Sequence, residues 1–120
     1  MTLVDGHHLR FVDLPGRRSA DPLDGVGSVS SLRIVELGRT EGRTAHLHPH
    51  SEEVIYVEAG SGQVWIDGTL HRVEQGDVVH IPAGAPHATV PDEEVQMRLI
   101  CFFPHPELSD NIENADIEVT

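Results

Sequence analysis

The sequence predicts an all-β fold, an antiparallel sandwich or barrel, and three observations predict it. Short apolar runs recur from Ser28 to Phe103, punctuated by Gly60, Asp67-Gly68, Gly76, Pro82 and Pro91-Asp92. No stretch sustains a 3.6-residue apolar period beyond two turns. Asp67-Gly68 sits between Trp65-Ile66 and Thr69-Leu70, a strong short-range hairpin signal because this dipeptide tolerates the positive φ angles a tight turn demands. Many short strands at even spacing fit a sandwich or barrel and leave no room for βαβ units.

In chain order, residues 1–27 are rich in Gly, Pro, Asp and Arg and read as an extended arm with one edge strand inside Leu9–Leu14. A loop follows through Pro22-Leu23-Asp24-Gly25. Residues 28–104 form the barrel, with strands expected at Val29–Leu37, Ala45–His48, Val54–Glu58, Gln63–Asp67, Leu70–Val73, Asp77–Ile81, Ala88–Val90 and Val95–Phe103. Residues 105–120 read as an acidic tail with one helical turn and an edge strand at Asp116–Val119. At 120 residues one domain is expected, and a chain of this size buries roughly two-thirds of its unfolded surface.

Charge narrows the function. Twenty acidic residues face eight basic ones, all arginine, for a net charge of −12. Such a chain is repelled by phosphate backbones and anionic membrane surfaces, so neither nucleic acid nor membrane is an expected partner. There is no apolar run near the length that spans a bilayer. The polar N-terminus lacks the pattern of a signal peptide, and the single cysteine, Cys101, gives no disulfide framework. The expected setting is cytoplasmic, with Cys101 a small buried apolar residue.

Nine histidines are a large share, and several cluster. Ala45-His46-Leu47-His48 puts two imidazoles at i and i+2, which on a strand share one face. They are then about 6–7 Å apart along the chain, close enough to converge on one ion. After the turn at Pro49-His50-Ser51, Glu53 heads the next strand and can return to the same site. Farther on, Gly76-Asp77-Val78-Val79-His80-Ile81-Pro82-Ala83-Gly84-Ala85-Pro86-His87 reads as a strand, a sharp Pro/Gly reversal, and a histidine thrown back over the sheet.

These two blocks resemble the paired motifs of the cupin superfamily. The first is matched by His46, His48, four residues, Glu53, six residues and Gly60; the second by Gly76, Pro82, Gly84 and His87. Gly42 stands three residues before His46 rather than five, and Pro91 occupies the position of a terminal Asn. Both are framing positions, so they bear on loop geometry and leave the ligands intact. The resemblance implies a double-stranded β-helix, or jelly-roll, barrel with His46, His48, Glu53 and His87 as metal ligands. The spacing from Glu53 to Gly60 favours Glu53 over Glu52. Three imidazoles and one carboxylate suit one divalent transition ion, Fe, Mn, Ni, Co, Cu or Zn, rather than Ca or Mg. Open positions remain for water, a small-molecule substrate or dioxygen, and the residual positive charge favours an anionic or chelating oxygen ligand.

Cupin chemistry is diverse, so three functions are expected in order. The first is a dioxygenase-type oxidoreductase on a small oxygen-rich organic substrate, with Glu53 doubling as a base. The second is a redox-neutral isomerase, lyase or decarboxylase in which His80, Tyr56 or Glu52 moves a proton. The third is a non-catalytic small-molecule binder. His80 is the candidate acid/base beside Glu53, provided that it faces the cavity rather than the outer sheet. His50 reads as a solvated turn residue, and His7, His8, His71 and His105 as surface residues. Tyr56, Trp65, Met97 and Phe103 read as core or pocket wall. Arg98, on an apolar strand, either pairs with a buried carboxylate or anchors an acidic substrate. The N-terminal arm leaves a sheet edge to cover, which implies a homodimer with arms paired about a two-fold axis.

Overall fold

In the computed structural model, which describes Met1–Thr120, Asp67-Gly68 closes the predicted hairpin. Ile66 faces Thr69 across the two-residue loop, and both turn residues have positive φ, 47° and 97°. The flanking strands belong to a set of eleven. They are β1 (Phe11–Leu14), β2 (Arg17–Ala20), β3 (Ser31–Leu37), β4 (Thr44–Leu47), β5 (Glu53–Ala59) and β6 (Ser61–Ile66). Then come β7 (Thr69–Glu74), β8 (Val78–Ile81), β9 (His87–Pro91), β10 (Met97–Phe103) and β11 (Glu113–Glu118). One 3₁₀ turn, Leu108–Asp110, precedes β11, and no helix is long and apolar enough to cross a membrane.

The strands form two antiparallel sheets in jelly-roll order. One runs β1-β2-β3-β10-β5-β8 and the other β11-β4-β9-β6-β7. Alternation along each strand decides what lies between them. On β5, Glu53, Ile55 and Val57 are buried while Glu52 before it and Tyr56 within it are exposed. On β10, Met97, Leu99, Cys101 and Phe103 point inward. With Leu37, Val64, Val73 and Ile81 these residues form one apolar core. A buried Val, Leu or Ile side chain contributes roughly 1.5–3 kcal/mol, so this row outweighs the weak β propensity of the short strands around it. Strand β9 shows no alternation because all five of its residues are buried at the centre of its sheet.

Two glycines in this frame are obligatory. Gly60, between β5 and β6, has φ +88°, and a Cβ there would meet the Gln96 carbonyl at 2.6 Å. On β6, a Cβ on Gly62 would collide with the Val90 carbonyl, so close packing of β6 on β9 needs a bare backbone.

The termini depart from expectation. Residues 1–27 hold two strands, not one: β1 and β2 form a hairpin, and β2 pairs with β3 of the same chain. Arg17-Arg18-Ser19-Ala20 carries no apolar alternation, so its strand character comes from pairing with β3, not propensity. The arm thus covers the β3 edge within its own chain, and β1 becomes the outer edge of that sheet. The C-terminal strand starts earlier than expected, at Glu113, and joins β4 through Glu113↔Leu47 and Asn114↔His46. Tyr56 and Trp65, expected in the core or pocket wall, lie on the outer sheet faces. Tyr56 is 43% exposed and Trp65 is half-buried, because each has the opposite parity to its buried neighbours. Met97 and Phe103 are buried as expected.

Candidate metal centre

Strands β4 and β9 pair with His46 directly opposite His87. His48 follows just past the end of β4, and the reversal between β8 and β9 is tied to it, since the Gly84 N–H donates to the His48 carbonyl at 2.8 Å. Gly84 has φ +79°, which lets that turn fold back over the sheet. Glu53 arrives from the facing sheet, at the head of β5. One ligand atom from each of His46, His48, Glu53 and His87 lies within 4.8 Å of all the others. The imidazole centroids are 4.5–5.1 Å apart, and His48, Glu53 and His87 are each less than 5% exposed.

The hydrogen bonds around the cluster show what it can hold. His48 Nδ1 is 2.7 Å from the Asn111 carbonyl, and His87 Nδ1 is 2.9 Å from the Ala85 carbonyl. A carbonyl only accepts, so each Nδ1 carries a hydrogen and donates it, which fixes each ring with its Nε2 aimed into the cluster. Glu53 Oε1 lies 2.8 Å from His87 Nε2 and 3.2 Å from His48 Nε2. The His48 contact is off the line of a hydrogen bond, so that buried nitrogen has no hydrogen-bond partner. His87 Nε2 shares a hydrogen bond with Glu53 Oε1, and with that proton released the same nitrogens and oxygen converge as donors for a cation. Burial raises the Glu53 carboxyl pKa, but contact with His48 and His87 outweighs it and brings the value to about 2. Burial, reinforced by His87, lowers that of His46 to about 3. An anionic carboxylate and a neutral imidazole are the forms a divalent ion requires. These residues therefore fit a transition ion, and the donor atoms could hold one.

The other expectations sort by parity. Glu52 points outward and meets His80, Nε2 to Oε1 at 3.3 Å, with both side chains about half exposed. His80 sits opposite Val54 on the outer face, away from the cavity, so its expected acid/base role is corrected, as are those of Glu52 and Tyr56. Arg98 pairs with Glu36 at 2.8 Å and Glu58 at 2.9 Å on the outer face, the carboxylate-pairing alternative. His50 stacks on His105 with centroids 5.8 Å apart.

Sequence reasoning missed Asn111. It is fully buried; its carbonyl takes the His48 hydrogen, its Oδ1 accepts from the His50 N–H, and its Nδ2 donates to Ser51 Oγ. A lone Asn in an acidic tail offers no local signal for this. Cys101 belongs to the core, as expected of a small apolar residue, and burial followed by the Glu53 charge pushes its pKa up. The centre opens onto a cavity of about 350 Å³, whose wall includes Phe103, Leu99, Ser19, Thr89 and the three arginines Arg17, Arg33 and Arg43.

Two facing antiparallel sheets around three imidazoles and a carboxylate define a jelly-roll barrel with a metal-type centre. The chain belongs to the cupin family: the cupin domain profile matches residues 33–103, more than half of its length. It is 34% identical over 88 residues to protein SchB of Streptomyces halstedii, a match that takes in 69% of this chain and 64% of SchB. A second match, to the uncharacterized protein MJ1618 of Methanocaldococcus jannaschii, is 32% identical over 56 residues, 47% of this chain and 45% of that protein. The chain thus spans less than two-thirds of these relatives. Among solved structures it resembles the formate complex of Lactobacillus farciminis oxalate decarboxylase, with TM-score 0.75 and 22% identity over 89% of this chain and 33% of that one. It also resembles the Pac13 nucleoside dehydratase, with TM-score 0.77 and 11% identity over 99% of this chain and 94% of that one. At these identities the likeness is one of fold.

Proposed function

We propose that this protein is a metal-dependent enzyme of redox-neutral type, a lyase, decarboxylase or isomerase, acting on a small oxygen-rich organic substrate. The observation that carries it is the cavity. A centre of three imidazoles and one carboxylate opens onto a largely apolar wall that carries Arg17, Ser19 and Thr89, polar groups suited to holding substrate oxygens as negative charge develops on them. An ion held by His46, His48, Glu53 and His87 supplies a Lewis acid for a carbonyl or enolate oxygen. Glu53, ionised at neutral pH, is the one carboxylate of the centre and supplies negative charge to the ion. Two structures of similar fold carry the names of a decarboxylase and a dehydratase, which agrees with this class.

A dioxygenase is the second reading, favoured by the same donor set, which suits Fe(II) and leaves open positions. The test is turnover of hydroxy and keto acids by Mn(II)- or Fe(II)-loaded protein under argon, run beside an oxygen electrode. Product under argon, lost in His48→Ala, supports the redox-neutral reading. Oxygen uptake with no anaerobic product selects the dioxygenase, and tight binding with no product selects a binding protein.

The homodimer is proposed through the open edge of β1, where two arms can pair about a two-fold axis, together with the outer face of the same sheet. On that face Tyr56, Val78 and Phe102 are exposed on adjacent strands, apolar surface that a second copy can cover. A monomer in light scattering at micromolar concentration rejects it.

A further inference from the structure

Most of the arginines that bear on the fold are neutralised. Arg18, Arg33, Arg72 and Arg98 each pair with a carboxylate, and Arg10 and Arg39 are exposed. Arg17 and Arg43 are different. Both are half-buried on the cavity wall, and neither pairs with any of the chain's twenty acidic residues. Arg43 is a staple: its Nη2 donates to the Gly16 and Gly38 carbonyls and to Thr40 Oγ1, pinning the β1–β2 turn to the loop after β3. Arg17, the next residue after Gly16, makes no side-chain hydrogen bond and no ion pair.

Parity explains why Arg17 faces inward. It stands opposite Leu37 in the β2–β3 register, on the cavity side with Ser19, while Arg18 turns outward to Glu36 and stacks over Phe11 at 4.1 Å. Arg33, the third arginine on the wall, is occupied by Asp21 at 3.1 Å. Glu41 is the only carboxylate on the wall besides Glu53; it is exposed and unpaired. Burial and the neighbouring Arg17 charge both lower the Arg43 pKa, which places the two cations within mutual reach. A half-buried guanidinium that repels its neighbour and has no counter-charge carries a desolvation cost that an incoming anion removes.

We infer that Arg17 anchors a second anionic group of the substrate, a carboxylate or phosphate distal to the metal-binding end, so that the preferred ligand is a small dianion. This rests on the metal-centre reading above and adds the substrate class and the residue that selects it. The planar guanidinium suits bidentate contact with either oxyanion. A cavity of about 350 Å³ lies at the small end of ligand sites and matches an acid of a few carbons.

The test compares three ligands with the same α-hydroxy-carboxylate end: glycolate, malate and 3-phosphoglycerate. Each is titrated into Co(II)-loaded protein, following the visible Co(II) band and the melting temperature. Malate, if the anchor takes a carboxylate, or 3-phosphoglycerate, if it takes a phosphate, binds about 10- to 100-fold more tightly than glycolate. Arg17→Leu abolishes that preference, Arg17→Lys keeps part of it, and Arg18→Leu, on the outer face, leaves it intact. No preference over glycolate in the wild type, or a preference that survives Arg17→Leu, overturns the assignment. Failure of the metal centre looks different: the Co(II) band is absent or unmoved by any ligand, while malate or 3-phosphoglycerate still raises the melting temperature of the wild type and not of Arg17→Leu.

Discussion

Glu53 Oε1 lies between His48 Nε2 and His87 Nε2, whose rings are fixed by their own Nδ1 hydrogen bonds, so the charge of Glu53 can be removed without moving those rings. Glu53→Gln keeps the shape and removes the charge; it is expected to lower affinity for Co(II) or Mn(II) by at least about 10- to 100-fold, the cost of altering even an outer partner of a ligand. Metal content after dialysis against a competing chelator checks this. Asn111→Ala tests the support beneath His48. It strips hydrogen bonds from Ser51 and the His50 N–H and is expected to cost about 1–3 kcal/mol in urea unfolding, with weaker metal retention. Unchanged stability rejects this role. The four clustered residues were legible in the sequence because their spacing is local. Asn111 was not, because its partners lie some sixty positions away along the chain. His80 and Glu52 were misread because strand parity cannot be fixed until the register is known, and a shift of one residue exchanges the two faces.

At the scale of elements, the outcome turned on whether a strand is held by its own pattern or by its neighbours. β3, β5 and β10 alternate or run apolar, and they appear close to where they were expected. β2 is polar, and pairing with β3 makes it a strand; no propensity argument reaches it. Its consequence is chemical, since the hairpin delivers Arg17 to the cavity. The junction of β5 and β6 yields a sharper prediction. Gly60→Ala combines a positive φ with a Cβ thrust at the Gln96 carbonyl, and it is expected to destabilise the fold by about 1–3 kcal/mol. The midpoint of urea unfolding checks it. Gly68→Ala has a positive φ but open space around the Cβ and is expected to cost less.

For the whole molecule, stability in the absence of metal depends on pH through two groups of the centre. The His46 pKa falls from 6.5 to about 3 on folding, and that of Glu53 from 4.5 to about 2. In both cases the unfolded chain binds more protons, so the stabilisation is complete above the unfolded pKa and is lost on acidification. Chelated protein is expected to show nearly constant stability above pH 6.5. The first loss follows as His46 is protonated in the unfolded state, and a second begins below pH 4.5. Unfolding midpoints that stay level from pH 7 to 4 contradict it. Bound metal adds about 2.7 kcal/mol at a hundredfold excess over Kd. EDTA is therefore expected to lower the melting temperature of metallated protein.

The net charge of −12 has a kinetic counterpart. A dianion approaching this surface is repelled at long range and attracted only once it is among the arginines of the cavity. Salt screens the far field over about 10 Å at 0.1 M and the sheltered near field much less. Ligand capture by this protein is therefore expected to speed up as ionic strength rises, the reverse of ordinary electrostatic steering. In stopped-flow measurements the association rate for malate increases between roughly 10 and 200 mM NaCl. A rate that falls over that range means that the mouth of the barrel, and not the acidic shell, sets the field the ligand first meets.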